Sequence, residues 1–354
     1  MVDAVGQGVV EGIAGSGVVG EPITFTLGAQ SCTGTTDISG RASCAVVLQQ
    51  RPGTYTVTAN FPGDTAFAPA TVSVPFTITK GRTVTTLTSS ANPSDFGQDI
   101  TFTATVTAAN PGAVAPAGQV KFRRSMTIGL GASTLDATGR STLTVPILQV
   151  GQNAITATYG GNDFFLDSTG SLTQTVTCSR TLTGRQPGGL DLTAGSTCLN
   201  NATVNGRITI GSGVAVSISN SQLNGAITAT DILALTVCGS TVNGDIRVSG
   251  SAKFVLFGDA GDDGAPACAG NTLNGSTTIF ASRGQAEVSA NAISEDLIIN
   301  DSSGTGPDEG RMRSQIEANT IGDDLFCFGN TPAPTNDGRP NSIAGESFGQ
   351  CIGF

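Results

Sequence analysis

Histidine and tryptophan are absent from this chain of 354 residues, tyrosine occurs only 2 times, and Lys80, Lys121 and Lys253 are its only lysines. Without an imidazole there is no Ser-His-Asp triad, no Cys-His pair and no histidine-ligated metal site. Charge is also scarce. Only 12% of residues are charged, and 17 basic against 27 acidic residues give a formal charge of −10. The few basic side chains are scattered, so nucleic acid and anionic membrane surfaces are excluded as partners by repulsion. No run of eighteen or more apolar residues exists, which excludes a membrane-spanning helix within this sequence. Residues 1 to 19, "MVDAVGQGVVEGIAGSGVV", lack the basic start, the continuous apolar stretch and the cleavage site of a signal peptide.

What the chain has in abundance is glycine, 48 residues, together with threonine, serine, valine and alanine. That profile is poor in helix formers and suits strands and turns, so the class is all-β. The length exceeds what one hydrophobic core usually serves, and three units are expected. The 8 cysteines are even in number and regularly placed. Disulfides in an oxidising compartment are their natural reading, which implies export to an extracellular or cell-wall location.

The first half of the chain is a tandem duplication. "YTVTANFPGDTAF" (55 to 67) aligns with "NAITATYGGNDFF" (153 to 165), and "TDISGRAS" (36 to 43) aligns with "LDATGRST" (135 to 142). Each copy alternates apolar and polar residues at period two, as in "FTATV" (102 to 106), and is interrupted by Gly, Pro, Asn and Asp. Short strands at this spacing, about a hundred residues per unit, suit an immunoglobulin-like sandwich.

The second copy resembles the bacterial Ig-like repeat domains of secreted and surface proteins. It does so through "TTLTSSANPSDFGQDITFTATV" (85 to 106), "GQVKF" (118 to 122), "LDATGRSTLTV" (135 to 145) and "VGQNAITATYGGNDFFLDSTGSLTQTV" (150 to 176). In the first copy "GEPITF" (20 to 25) aligns with "GQVKFR" (118 to 123), so its opening strands would have to lie within residues 1 to 19. That is too short a stretch for them, and an incomplete amino terminus is the expectation.

From about residue 179 a new phrase repeats: "NATVNGRITI", "NSQLNGAITA", "GSTVNGDIRV". Anchored on Val204, Leu223, Val242, Leu273, Ile293, Ile321 and Ile343, its spacings are 19, 19, 31, 20, 28 and 22. Two intervals are lengthened by the loops "FGDAGDDGAPAC" (257 to 268) and "DSSGTGPDEGRM" (301 to 312). A period near twenty is too short for a helical hairpin, and each repeat reads as one coil of a parallel β-helix. Successive rungs stack about 4.8 Å apart, so like residues must recur at like phase.

Two inward ladders follow from that phase. Four residues past the anchors stand Ile208, Ile227, Ile246, Thr277, Leu297, Leu325 and Ser347; six past stand Ile210, Ala229, Val248, Ile279, Ile299, Cys327 and Gly349. Both weaken at the last coil, as a cap should. The Asn-Gly pairs beginning at 205, 224, 243 and 274 are expected to supply a positive-φ corner. In style this half is similar to bactofilin-type polymer-forming β-helices and to solenoids that follow Ig-like repeats in exported proteins. Its cysteines depart from the cytosolic bactofilins, and its weakened last coil argues against open-ended stacking.

Cysteine phase predicts sequential pairing. Cys32 and Cys44 flank the turn "TDISGRAS", Cys178 and Cys198 stand at the entry of the solenoid, and Cys238 with Cys268 and Cys327 with Cys351 occupy neighbouring coils. Such positions fall within disulfide reach.

Few residues suggest chemistry, and no cofactor is implied. The acids Glu295, Asp296, Asp323, Asp324 and Glu346 all lie two or three residues past their anchors. Stacked carboxylates either splay into solvent or share a hard cation such as Ca²⁺. Asp259, Asp262 and Asp263 lack EF-hand or nonapeptide calcium spacing and read as solubilising loop residues. Tyr55, Tyr159, Phe164 and Phe165 read as sandwich packing, and Lys121 as a surface lysine without an isopeptide partner.

The fold expected is two tandem immunoglobulin-like β-sandwiches, 1–80 and 81–177, followed by a parallel β-helix (solenoid) of about seven to eight coils over 178–354. The functional expectation is a non-enzymatic exported or surface protein. In it an Ig-like spacer displays the solenoid to a cell-wall component, polysaccharide or surface protein. The alternatives are a polysaccharide hydrolase or lyase using carboxylates such as Asp296 and Asp324, and a self-assembling structural module.

Overall fold

A computed structural model describes residues 2–3, 7–9, 18–110, 114–125, 128–146, 148–259, 268–304 and 313–354, and every regular element in it is a strand. No helix among the described residues is long and apolar enough to cross a membrane.

The second sandwich pairs a three-stranded sheet (Arg140–Val145, Ile100–Ala108, Thr83–Ser89) with a five-stranded one. The latter runs Ile128–Thr134, Gln119–Arg124, Gly151–Tyr159, Ser168–Thr177 and Ser94–Asp95. Period-two alternation sends Ile100, Phe102, Ala104 and Val106 inward, where they meet Val120, Phe122, Ile155, Ala157 and Tyr159 in one core. Tyr159 is fully buried, and its hydroxyl donates to the Ala117 carbonyl at 3.0 Å.

In the first sandwich the main sheet runs Val2–Asp3, Ala70–Thr79, Gly53–Phe61, Pro22–Leu27, Gln30–Thr35. A two-stranded ribbon joins Gln7–Val9 to Ala45–Val47. The stretch before residue 19 thus supplies two short strands, Val2–Asp3 and Gln7–Val9. Val2–Asp3 lies parallel to Ile78–Thr79 just as Ser94–Asp95 lies parallel to Val176–Thr177. Among the described residues the first unit has no counterpart of Thr83–Ser89. Val72 and Val74 therefore stay 59% and 50% exposed, and an open cleft of about 440 Å³ is lined by Ile23, Phe25, Ala59, Phe61 and Phe67.

The solenoid is built of two parallel sheets whose registers follow the repeat. Val204, Leu223, Val242, Leu273, Ile293, Ile321 and Ile343 pair in sequence. Ile208, Ile227, Ile246, Thr277, Leu297, Leu325 and Ser347 do the same. A third column, Leu199, Ile218, Val237, Phe257, Val288 and Ile316, lines the remaining side of the core.

The Asn-Gly pairs stand at one corner of each coil, where the chain passes from the anchor strand in one sheet to the strand four residues on in the other. Positive φ occurs at three of the four glycines, and further left-handed positions make the other corners. Left-handed backbone recurs three residues before the anchors, at Asn201, Asn220, Gly239, Ala290 and Ala318 (φ 48–59°), and eight after them, at Asp231, Gly250, Ala281, Asp301 and Gly329 (φ 47–81°). At the Asn-Gly sites φ is 149–159° for Gly206, Gly244 and Gly275, and Gly225 has no positive φ. Glycine is required there by the close approach of stacked backbones. A Cβ on Gly225 would stand 2.6 Å from the carbonyl carbon and oxygen of Gly206. The asparagines beside these glycines form an outer ladder, each amide donating to the previous coil's side-chain oxygen at 2.7–2.8 Å (Asn224 to Asn205, Asn243 to Asn224, Asn274 to Asn243).

Two residues before the anchors lies a second ladder, buried and not anticipated from the repeat. Asn271, Asn291 and Asn319 are at most 3% exposed. Each side-chain oxygen accepts the backbone N–H of the ladder residue one coil earlier, Ser240 to Asn271, Asn271 to Asn291 and Asn291 to Asn319, at 2.9–3.0 Å. The amides donate to the carbonyls of Val237, Phe257 and Val288 at 2.7–2.8 Å. These bonds satisfy backbone groups that the left-handed corner removes from the sheet.

The second sandwich is joined to the solenoid by more than the chain. Lys253 Nζ donates to the carbonyls of Gly97 (2.7 Å) and Pro146 (2.8 Å) and pairs with the Asp99 carboxylate. Ser196 Oγ donates to Asp95. Ala215, Leu233, Ala234 and Phe254 of the solenoid pack into the same hydrophobic cluster as the sandwich core. Gly97 fits there because a Cβ would meet Leu233 Cδ2 at 2.8 Å.

Candidate functional site

The structure brings the cysteines together as four disulfides: Cys32–Cys44, Cys178–Cys198, Cys238–Cys268 and Cys327–Cys351, with Cα–Cα distances of 6.0, 5.6, 4.8 and 5.5 Å. The first ties the strand Gln30–Thr35 to the start of Ala45–Val47. The second fastens the solenoid's first coil to the chain leaving the sandwich. The third and fourth each link one coil to the next.

The acid row is assembled as well. Ligand oxygens of Asp296, Asp323 and Asp324 all lie within 4.8 Å of one another. Two of the three have a structural task at the coil corner. Asp296 Oδ1 accepts the N–H of Asp324 at 3.1 Å, and Asp324 Oδ1 accepts the N–H of Glu346 at 2.7 Å. Two repeats earlier Asp245 Oδ1 accepts the N–H of Ser276 at 3.2 Å, and Glu295 takes the Ser276 hydroxyl at 2.9 Å. Three residues past the anchor, an oxygen-bearing side chain closes the corner of the coil that follows, which explains why acids recur at that phase without invoking a ligand.

Asp259 is buried at 7% exposure and its N–H donates to the Cys268 carbonyl at 2.7 Å; Asp262 and Asp263 lie outside the described residues. Lys121 is exposed on its strand, paired with Ala132 and Thr158 across the sheet. Phe165 is fully buried and Phe164 packs against the same core. Tyr55 is only partly buried; its hydroxyl donates to the Arg51 carbonyl at 2.7 Å.

One group of surface residues escapes a reading confined to tyrosines and to Phe164 and Phe165. On the outward face of the sheet carrying Ile246–Ser251, Thr277–Ser282, Leu297–Asn300, Leu325–Phe328 and Ser347–Gly349, phenylalanines collect near the last coils. Phe326 and Phe348 stack with ring centroids 4.8 Å apart and planes within 7°. Phe280 and Phe328 are 40% and 48% exposed. The available signal was phase: Ile298, Phe326 and Phe348 fall five residues past their anchors, between the two inward ladders, and strand alternation turns that position outward.

No curated protein matches the chain. Among solved structures it is similar to fibronectin(III)-like modules of Clostridium thermocellum CbhA (14% identity, 50% of this chain, 88% of that one, TM-score 0.22). It is also similar to the adhesin InvE of Yersinia pseudotuberculosis (18% identity, 50% of this chain, TM-score 0.25) and to a Ca²⁺-stabilised adhesin of an Antarctic bacterium (21% identity, 51% of this chain, TM-score 0.20). The chain spans 57% and 47% of the length of those two. Over residues 87–177, which make up nearly all of the second sandwich, the sequence matches the family model described as Bacterial Ig-like domain (group 3).

Proposed function

We propose that this is an exported or cell-surface structural protein of adhesion type, in which Ig-like units (1–80 and 81–177) carry a disulfide-stapled solenoid (178–354) and present its faces to a surface. The observation that supports this most is the employment of the acid row. Carboxylates that accept the next coil's N–H groups are held in place as corner closures, and what remains available to a partner is the flat outer surface of rigid sheets. The bolted contact through Lys253 supports it too, since a displayed surface transmits attachment only if its carrier holds it at a set orientation.

The test is to incubate the oxidised full chain with cell walls and a polysaccharide panel. Both the material it sediments with and any reducing ends or unsaturated sugars released are recorded. Sedimentation without release is the expected result. Release of sugar that disappears in Asp296→Asn or Asp324→Asn would replace this reading with a polysaccharide-cleaving solenoid.

A further inference from the structure

The geometry points to a binding strip for a neutral β-linked polysaccharide on the outward face of the solenoid between Phe280 and Phe348; this rests on the adhesion reading and names its partner.

Phe280, Asn300 and Phe328 form one outward column on adjacent rungs. The two rings are thus two rungs apart, about 10 Å. In a β-1,4-linked pyranose chain every second sugar turns the same face to one side, and that repeat is close to the two-rung spacing. Between the rings stands an amide, Asn300, whose oxygen is oriented by the Phe328 N–H at 2.9 Å. The Phe328 ring is seated over Gly349, where a Cβ would come within 2.7 Å of its Cε1 atom. The glycine clears room for the ring to settle against the next rung while nearly half of the residue stays in solvent.

Beside this column Ile298 and the stacked pair Phe326 and Phe348 extend the apolar ground. Along its edge run the exposed acids Asp323 and Glu346, beside the corner closures made by Asp296 and Asp324, offering carboxylate oxygens to sugar hydroxyls. An apolar floor bordered by acceptors matches a sugar's C–H face and hydroxyl rim. The same acids, on a chain of formal charge −10, repel an anionic glycan and oppose the approach of a second copy.

The experiment measures depletion of oxidised full-length protein by microcrystalline cellulose and by chitin, with granular starch as the α-linked control. The double variant Phe280→Ala, Phe328→Ala is compared with Phe328→Tyr. Both phenylalanines are exposed, so the double variant keeps the wild-type melting profile. The expectation is partition onto at least one β-glycan but not starch, weakened at least tenfold in the double variant and retained by Phe328→Tyr.

Undiminished binding by the double variant overturns the proposal. So does wild-type protein that adheres to cells yet ignores both β-glycans, which leaves the adhesion reading standing. Failure to bind any cell surface removes both. Sedimentation equilibrium supplies the last outcome: dimerisation that the double variant abolishes, without glycan binding, would reassign the strip to self-association.

Discussion

Asp37 and Asp136 sit in two copies of one turn. Each uses Oδ1 to collect a hydroxyl and two backbone N–H groups, from Ser39 and Arg41 in one and from Thr138 and Arg140 in the other, at 2.6–3.1 Å. The Ser39 and Thr138 hydroxyls, with backbone N–H groups after them, hold both carboxyls below their ordinary value of 3.8. A carboxyl depressed in the folded state adds stability that is complete above its unfolded value and is lost as pH falls through the lowered one. Asp136→Asn is accordingly expected to be less stable than wild type at neutral pH. In urea titrations the gap should stay constant down to about pH 5 and close below the ordinary carboxylate value; a gap that widens in acid would contradict it. Asn291 makes a second case. Its replacement by alanine leaves the Asn271 N–H and the Phe257 carbonyl without their partner in a dry interior. A loss on the order of 3 kcal/mol is expected from chemical denaturation, against near zero for the exposed Asn224→Ala.

Among elements, the last coil is the weakest. Its inward positions are Ser347 and Gly349, where earlier coils place Ile, Leu, Val or Ala apart from Thr277 and Cys327. It is closed by Cys327–Cys351 and by Phe354 packed against the core. A staple across 24 residues contributes about 3 kcal/mol in the chain-entropy account. Cys327→Ala with Cys351→Ala is therefore expected to abolish amide-exchange protection over Ser342–Gly349 while Ile208–Val248 stays protected, as nearest-neighbour stacking implies. Uniform loss along the solenoid would show that the coils unfold as one unit.

For the whole molecule the decisive contact is Lys253. Its ammonium is mostly buried, with 17% side-chain exposure, and it reaches two carbonyls and a carboxylate of the second sandwich. Lys253→Met keeps the stem and removes all three bonds. Spin labels at the exposed positions Gln152 and Thr209 are expected to give a narrow distance distribution in wild type and a broad one in this variant. Equal widths would mean that the apolar contact of Leu233 and Phe254 fixes the orientation alone. By comparison, the surface pair Arg51–Asp163, with side chains 71% and 62% exposed, contributes little to how the two sandwiches sit.

The amino-acid sequence determined by itself what repeats and how often. Period-two alternation specifies the sandwiches, and the phase of Val204 through Ile343 specifies which residues stack, because parallel rungs leave one register that brings the inward ladders into the core. The acid row and the cysteine positions were legible from the same phase. Tertiary structure alone decided what those residues do. Carboxylates became corner closures because the next coil's N–H groups arrive beside them, a relation between residues 22 and 28 positions apart. Left-handed corners fell on alanine and aspartate as readily as on glycine, since bonding across coils offsets a local preference. The Lys253 joint joins positions 154 to 156 residues apart, and no local pattern in the chain records such a meeting.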